Sequence, residues 1–181
     1  MGSPKPSMAY GSTTMVDAVV TAAMAARLAP VIVVIGFHGD SVAEAVRDSA
    51  HVVRNPHPEA GNLSSLLVGL DAADDVDGAV VLLADMPQVQ SEVIAELAVG
   101  LVDSGSRGGW VEYVDGRGHP IALARQTFEG LRTLTGPRSL WPFLSCLAQD
   151  ERFVLQIDAP KPIDVNTPED YERVTRSSPG V

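Results

Sequence analysis

The strictest constraint on the fold is the apolar run Ala79-Val80-Val81-Leu82-Leu83, followed by a carboxylate at Asp85 and a proline at Pro87. A strand whose residues do not alternate apolar with polar is buried on both faces, as the strands of a parallel sheet are. Pro87 lacks a donor N–H and ends ladder pairing soon after. Ligands in open α/β sheets gather at the carboxyl ends of strands. Asp85 sits at such an end. It reads equally as the start of a turn or as an oxygen ligand for a hard divalent cation bound to phosphates.

A second apolar run, Val31 to Ile35, is ended by Gly36, and His51 to Arg54 reads as a third strand. Helical spacing of Met15, Val16, Val19, Val20, Met24 and Leu28 predicts a helix stopped at Pro30. Ser41-Val42-Ala43-Glu44 has the form of a capping box, so a short helix is expected to about Asp48. The turn-rich loop from Asn55 to Asn62 opens into a helix from Leu63 to Ala73, with Ser64 and Ser65 in its first turn. A helix start with free N–H groups and hydroxyls accepts polar or anionic ligands, although ordinary capping explains the same residues.

Beyond the central run, Ser91 to Leu101 reads as an amphipathic helix capped by Ser91. Trp110 to Val114 and Pro120 to Ala124 form a hairpin through Asp115-Gly116-Arg117-Gly118, which makes the sheet mixed. Arg125 to Leu134 and Ser139 to Gln149 are expected helices, and Arg152 to Ile157 the last strand. Thr167 caps a final helix with Pro168 at its first position. Alternating strands and helices predict an α/β, Rossmann-like architecture with a mixed, mainly parallel sheet flanked by helices, in one domain over 1–181.

Charge narrows the function. Thirteen Lys+Arg against 23 Asp+Glu give a formal net charge of −10, without the basic footprint of a nucleic-acid binder. An anionic substrate would need a metal or a local cation beside it. The one cysteine, Cys146, lies among apolar neighbours and is expected to be a buried thiol. No apolar run approaches the roughly 18 residues that span a bilayer, and a cytoplasmic protein without membrane contact is expected.

Four spaced motifs carry a resemblance. Met1-Gly2-Ser3-Pro4-Lys5 looks like part of an R-M-G-x-P-K signature loop, and Gly61 with Ser65-Leu66 like a G-x-x-x-S-L helix start. Leu83-Ala84-Asp85-Met86-Pro87 matches a D-x-P element, and Asp164-Val165-Asn166-Thr167-Pro168-Glu169-Asp170 a D-[IV]-[DN]-T-P-x-D close. Gly118-His119-Pro120 adds a G-x-P stretch. Together they resemble the MobA-like NTP transferases, the molybdenum-cofactor cytidylyl- and guanylyltransferases. The resemblance implies a glycosyltransferase-A-type fold and transfer of a nucleotidyl group, CMP from CTP, to a phosphorylated small molecule such as molybdopterin, with release of pyrophosphate. It implies Mg²⁺ on Asp85 and Asp164, with Lys5 and Asp85 as catalytic residues. Gly2, Lys5, Gly61 and Ser65 would bind CTP or GTP, and His119 would touch the acceptor. A molybdoenzyme or its chaperone is the implied protein partner.

Two departures from the family pattern stand out. The family's apolar first strand and its L-A-[AG]-G turn do not precede Met1 here, and Gly136-Pro137-Arg138-Ser139 stands where G-D-x-G is common. In the family the first strand lies between the equivalents of Val31–Ile35 and Ala79–Leu83. Without it those strands are expected to close up and pair, to receive another segment or chain, or to leave the fold poorly stable. The alternative function is a non-catalytic relative that binds a nucleotide or cofactor as a maturation partner.

Overall fold

The computed structural model describes residues 5–37, 39–46, 48–134 and 140–176. A small hairpin, β1 (Ala9–Tyr10) and β2 (Thr13–Thr14), leads into helix α1 (Met15–Ala25). Thr14 caps α1 by accepting the Asp17 N–H at 3.3 Å. Strand β3 (Ile32–Ile35), helix α2 (Asp40–Val46) and strand β4 (His51–Arg54) follow, and β3 pairs with β4 in parallel. The capping box expected at Ser41 is not formed. The helix begins one residue earlier, and the Ser41 hydroxyl bonds to Ser7 Oγ at 3.1 Å.

Helix α3 (Asn62–Ala72) carries the chain to β5 (Gly78–Val81), and helix α4 (Ser91–Ser104) leads to the hairpin of β6 (Gly108–Tyr113) and β7 (Gly116–Ala124). Two short helices, α5 (Phe128–Arg132) and α6 (Leu140–Ser145), precede β8 (Arg152–Ile157), and α7 (Pro168–Arg176) closes the chain. The larger sheet has the order β5-β7-β6-β8: β7 is antiparallel to both neighbours, and β6 is parallel to β8. Sheets flanked by helices give the mixed α/β fold expected from the sequence. Gln90, not Ser91, is the cap residue of α4, and the Ser91 hydroxyl turns to Glu92 instead.

Strand β5 stops pairing at Val81, two residues before the apolar run ends. Its partner there is Ile121, and the next residue of β7 is Pro120, which has no N–H to offer. Along the same strand the register with β6 jumps from Trp110↔Ile121 to Val111↔Gly118, so His119 and Pro120 are extra residues in a bulge. Bulges re-aim side chains next to functional sites.

The core lies in layers on the larger sheet. Leu70, Trp110, Ile121, Leu123, Leu131 and Leu144 pack on one face, beneath α3, α5 and α6. Val93, Leu97, Leu101, Val111, Tyr113 and Ala122 pack on the other, beneath α4. Cys146 is exposed, not buried as expected, because Leu144 and Leu147 take the core side of this segment.

Between β3 and β5 the two sheets do not meet. A cavity of about 1050 Å³ separates them, lined by Val31 to Val34, by Gly78 to Asp85 and by the inner faces of α1, α3 and α4. The strands therefore do not close up and pair, as one expectation had it, and no other described segment fills the gap. On one side Val19 of α1 packs with Ile94 of α4 against Val80 and Leu82, while α3 packs on β3 so closely that a Cβ at Gly69 would lie 3.1 Å from Val34. Helices cover the cavity on both faces.

Candidate active site

Four segments converge at the carboxyl end of β5. The Val165 N–H donates to the Asp85 carbonyl at 3.1 Å, and the Ile163 N–H donates to Gln88 Oε1 at 3.2 Å. These bonds tie the segment before α7 to the turn after β5. That segment is anchored beneath by Val165 and Val174, both fully buried with Tyr10 and Met15. Thr167 caps α7 as expected: the Asp170 N–H donates to its hydroxyl at 3.1 Å, and Asp170 Oδ2 accepts from the Thr167 N–H at 3.0 Å.

The result is a pair of acids from distant parts of the sequence. Asp85 and Asp164 come within hydrogen-bonding reach of one another. Burial, then the negative charge of Asp164, push the Asp85 carboxyl above the usual carboxylate range; hydrogen bonding from its own backbone and the charge of Lys5 pull the other way. Lys5 reaches the same place, its Nζ donating to Asn166 Oδ1 at 3.2 Å. Two like charges facing each other, with one ammonium nearby, form a site short of positive charge.

His119 stands on the bulge of β7 and lines the same cavity as Asp85, Asp164 and Asn166. Burial pushes its pKa down to about 4, the charge of Asp164 partly opposing, so the ring is neutral at physiological pH. Its backbone carbonyl accepts the Tyr113 hydroxyl at 2.8 Å. Trp141 meets it edge to face with ring centroids 5.8 Å apart, and the Arg117 guanidinium lies 4.9 Å from the centre of the Trp141 ring.

Ser65, in the first turn of α3, also lines the cavity. Its hydroxyl accepts from Asn55 Nδ2 at 3.0 Å, and Asn55 is only 2% exposed. Asn55 Oδ1 accepts from the Ser64 hydroxyl and the His57 N–H, so this one side chain fastens the end of β4 to the start of α3. Gly61 adopts φ 92° before α3, in the region that favours glycine, but it does not line the cavity. Gly2 and the Gly136–Ser139 departure lie outside the described residues.

Of the residues singled out in the sequence, Ser65, Asp85, His119 and Asp164 thus share one cavity, and Lys5 borders it through Asn166. Sequence reasoning missed Asn55, Asn166 and Trp141. Asn55 was visible only as the first residue of a turn-rich loop, and Asn166 lay unremarked inside a motif. Nothing in its local pattern brings Trp141 to His119.

Among the described residues no group of three or more His, Cys, Asp or Glu side chains could by itself hold a metal ion. The pair Asp85 and Asp164 nevertheless suits Mg²⁺, which is commonly held by one or two carboxylates and completes its shell with water and substrate phosphates. Their mutual repulsion is what a divalent cation would relieve.

The sequence model of the MobA-like NTP transferase domain matches residues 1–153. The chain belongs to the MobA-like NTP transferase family. The crystal structure of Rv0371c from Mycobacterium tuberculosis H37Rv, in complex with manganese, is 28% identical with a TM-score of 0.81, covering 96% of this chain and 92% of that one. An Rv0371c homolog from Mycobacterium sp. strain JC1 is 29% identical with a TM-score of 0.85, covering 98% and 89%. Molybdopterin-guanine dinucleotide biosynthesis protein A from Archaeoglobus fulgidus shares the fold at 17% identity and a TM-score of 0.70, over 97% of this chain and 90% of that one. No curated protein matches the chain. As a member of this family the chain has the fold of a nucleotidyltransferase, and proteins of this kind commonly use divalent metals. No described helix is long and apolar enough to cross a membrane.

Proposed function

We propose that this family member is a Mg²⁺-dependent nucleotidyltransferase that moves CMP from CTP to the terminal phosphate of a phosphorylated pterin, molybdopterin above all. The observation that carries this reading is the meeting of Asp85 and Asp164, with Lys5 alongside, at the carboxyl end of β5. Asp85 and Asp164 would hold Mg²⁺, which when bound supplies charge neutralisation at the triphosphate. The manganese in the Rv0371c crystal structure supports a divalent ion in this family.

An oxygen of the acceptor phosphate attacks the α-phosphorus, a new P–O bond forms, and the bond to the β-phosphate breaks with pyrophosphate as leaving group. A phosphate monoester is largely ionised at neutral pH, its second pKa being about 6, so the attack needs no general base. A neutral His119 agrees with that. The residues act by position and charge: Lys5 offsets phosphate charge, Ser65 and the turn at Gly61 contact the nucleoside, and His119 faces the acceptor. Gly2 would join the nucleotide contacts, and the Pro4-Lys5 pair favours CTP over GTP. A molybdoenzyme or its chaperone would receive the product.

A second reading, a non-catalytic binder acting in cofactor maturation, draws on the open cavity that runs up to Asp85. Pyrophosphate release from CTP and GTP, with molybdopterin and Mg²⁺ present, separates the two. Turnover with CTP exceeding that with GTP is expected. Nucleotide binding without pyrophosphate release favours the second reading, and faster release from GTP overturns the nucleotide assignment.

A further inference from the structure

The chain's two tryptophans, Trp110 and Trp141, meet edge to face with ring centroids 6.4 Å apart, yet their surroundings differ. Trp110 of β6 is 7% exposed, its N–H donates to Glu112 Oε2 at 3.4 Å, and the Arg152 guanidinium lies 5.8 Å from its ring centre. That indole is a core residue whose polar edge is satisfied. Trp141 of α6 is half-buried and borders the cavity that holds Asp85, Asp164 and His119. Its N–H has no hydrogen-bond partner among the described residues, none of whose buried polar side-chain atoms is unpartnered, so this N–H is open to solvent. Packing of the β6–β7 hairpin on α6 explains the ring's contacts. It does not explain an indole left open on the wall that carries the acids.

The ring is also held in place. The Arg117 guanidinium lies 4.9 Å from its centre and donates at 3.0 Å to Ser145 Oγ, one turn further along α6. His119 meets the ring edge to face at 5.8 Å, and on its other side it feels the charge of Asp164. A flat surface fixed in advance binds a flat partner without the cost of ordering it.

We infer that Trp141 is a specificity-determining residue for the acceptor, stacking a flat heteroaromatic ring whose attached phosphate reaches past His119 to Asp85 and Asp164. The inference rests on the nucleotidyl transfer proposed above and adds what selects the acceptor. A sugar phosphate suits this surface less well. Its hydroxyls need hydrogen-bond acceptors beside the ring, and Glu112, the carboxylate next to the two indoles, already takes the Trp110 N–H.

The test uses the 181-residue chain with Mg²⁺ and two probes, hydroxymethylpterin monophosphate and glucose 1-phosphate, with binding followed by equilibrium dialysis. The parent should bind the pterin at least tenfold more tightly than the sugar, and the pterin's own fluorescence should be quenched on binding. Trp141→Leu should weaken the pterin at least tenfold, while Trp141→Phe, which keeps a flat ring, should stay within threefold of the parent. Sugar binding should change less than twofold in either variant, whereas a merely structural role would move both probes alike. The quenching and the preference are read on the parent, so they decide the matter even where Trp141→Leu fails to fold. Equal affinity of the parent for both probes, a bound pterin that stays bright, or no pterin binding would overturn the inference. So would a Trp141→Leu chain that binds the pterin as tightly as the parent. Absence of pyrophosphate release from CTP would fail the transfer reading instead, and the binding results would still decide the role of Trp141.

Discussion

Strands β3 and β6 make an instructive pair. β6 has a neighbour on each edge, β7 and β8, and its residues Gly108 to Val111 are buried along with Tyr113. β3 is more uniformly apolar, Ile-Val-Val-Ile, yet only Ile35 is buried, because one edge and part of each face border the cavity. An apolar pattern thus records the surroundings a strand is suited to. It does not say which segments of the described chain border each strand. The same contrast separates β7, paired on both sides, from β5, paired on one.

Core deletions give the contrast its largest expected effect. Leu144, fully buried against the closed sheet, should cost about 2–5 kcal/mol when cut to alanine, since the removed atoms leave a cavity. Val33→Ala, beside a cavity already open, should cost about 1 kcal/mol or less. Urea unfolding of both variants checks this, and similar losses would break the comparison.

His119, held by the bulge in the closed sheet, should give stability a pH dependence. Its folded pKa of about 4 lies below the ordinary 6.5, so between those values the unfolded chain binds more protons. Stability from this group is complete above pH 6.5 and is lost as pH falls towards 4, by about 3 kcal/mol at the most. Unfolding of the parent and of His119→Gln across that window should show a shallower slope in the variant. Identical slopes would mean that the ring is not buried as described.

The smallest effect compares two helical glycines. A Cβ at Gly100 on α4 would lie 2.2 Å from the Phe153 ring, whereas one at Gly69 on α3 would lie 3.1 Å from Val34, on the strand that borders the cavity. Alanine favours a helix over glycine by about 1 kcal/mol. Gly69→Ala should therefore raise the melting temperature slightly, as Val34 can give way, and Gly100→Ala should lower it. The reverse order would show that β3 is held as firmly as the closed sheet.

Much of this was legible in the sequence because strands, helix caps and turns write local patterns. Arg152–Ile157 and His51–Arg54 fall where their apolar content placed them, and Thr167 caps α7 through the hydroxyl its motif provides. Asp85 and Asp164 were legible as motif members. Their meeting depends on the backbone bond from Val165 to Asp85, which no window of sequence contains. The bulge at His119 was hidden because it is a mismatch of register between two strands, a property of neither alone. Cys146 was misread because apolar neighbours on both sides do not say which way a short helix and its following turn face. The contact of Trp141 with His119 and Arg117 is likewise a product of tertiary packing.

Asp85 and Asp164 are proposed to hold a metal for a nucleoside triphosphate. Calorimetric titration of CTP into the parent chain and into Asp85→Ala, with and without Mg²⁺, tests it most directly. Mg²⁺ should tighten binding to the parent at least tenfold and leave the variant unaffected. The variant's melting temperature without metal should be unchanged or higher, because a half-buried carboxyl crowded by Asp164 has been removed. Equal affinity of the variant and the parent for CTP in the presence of Mg²⁺ would contradict the account.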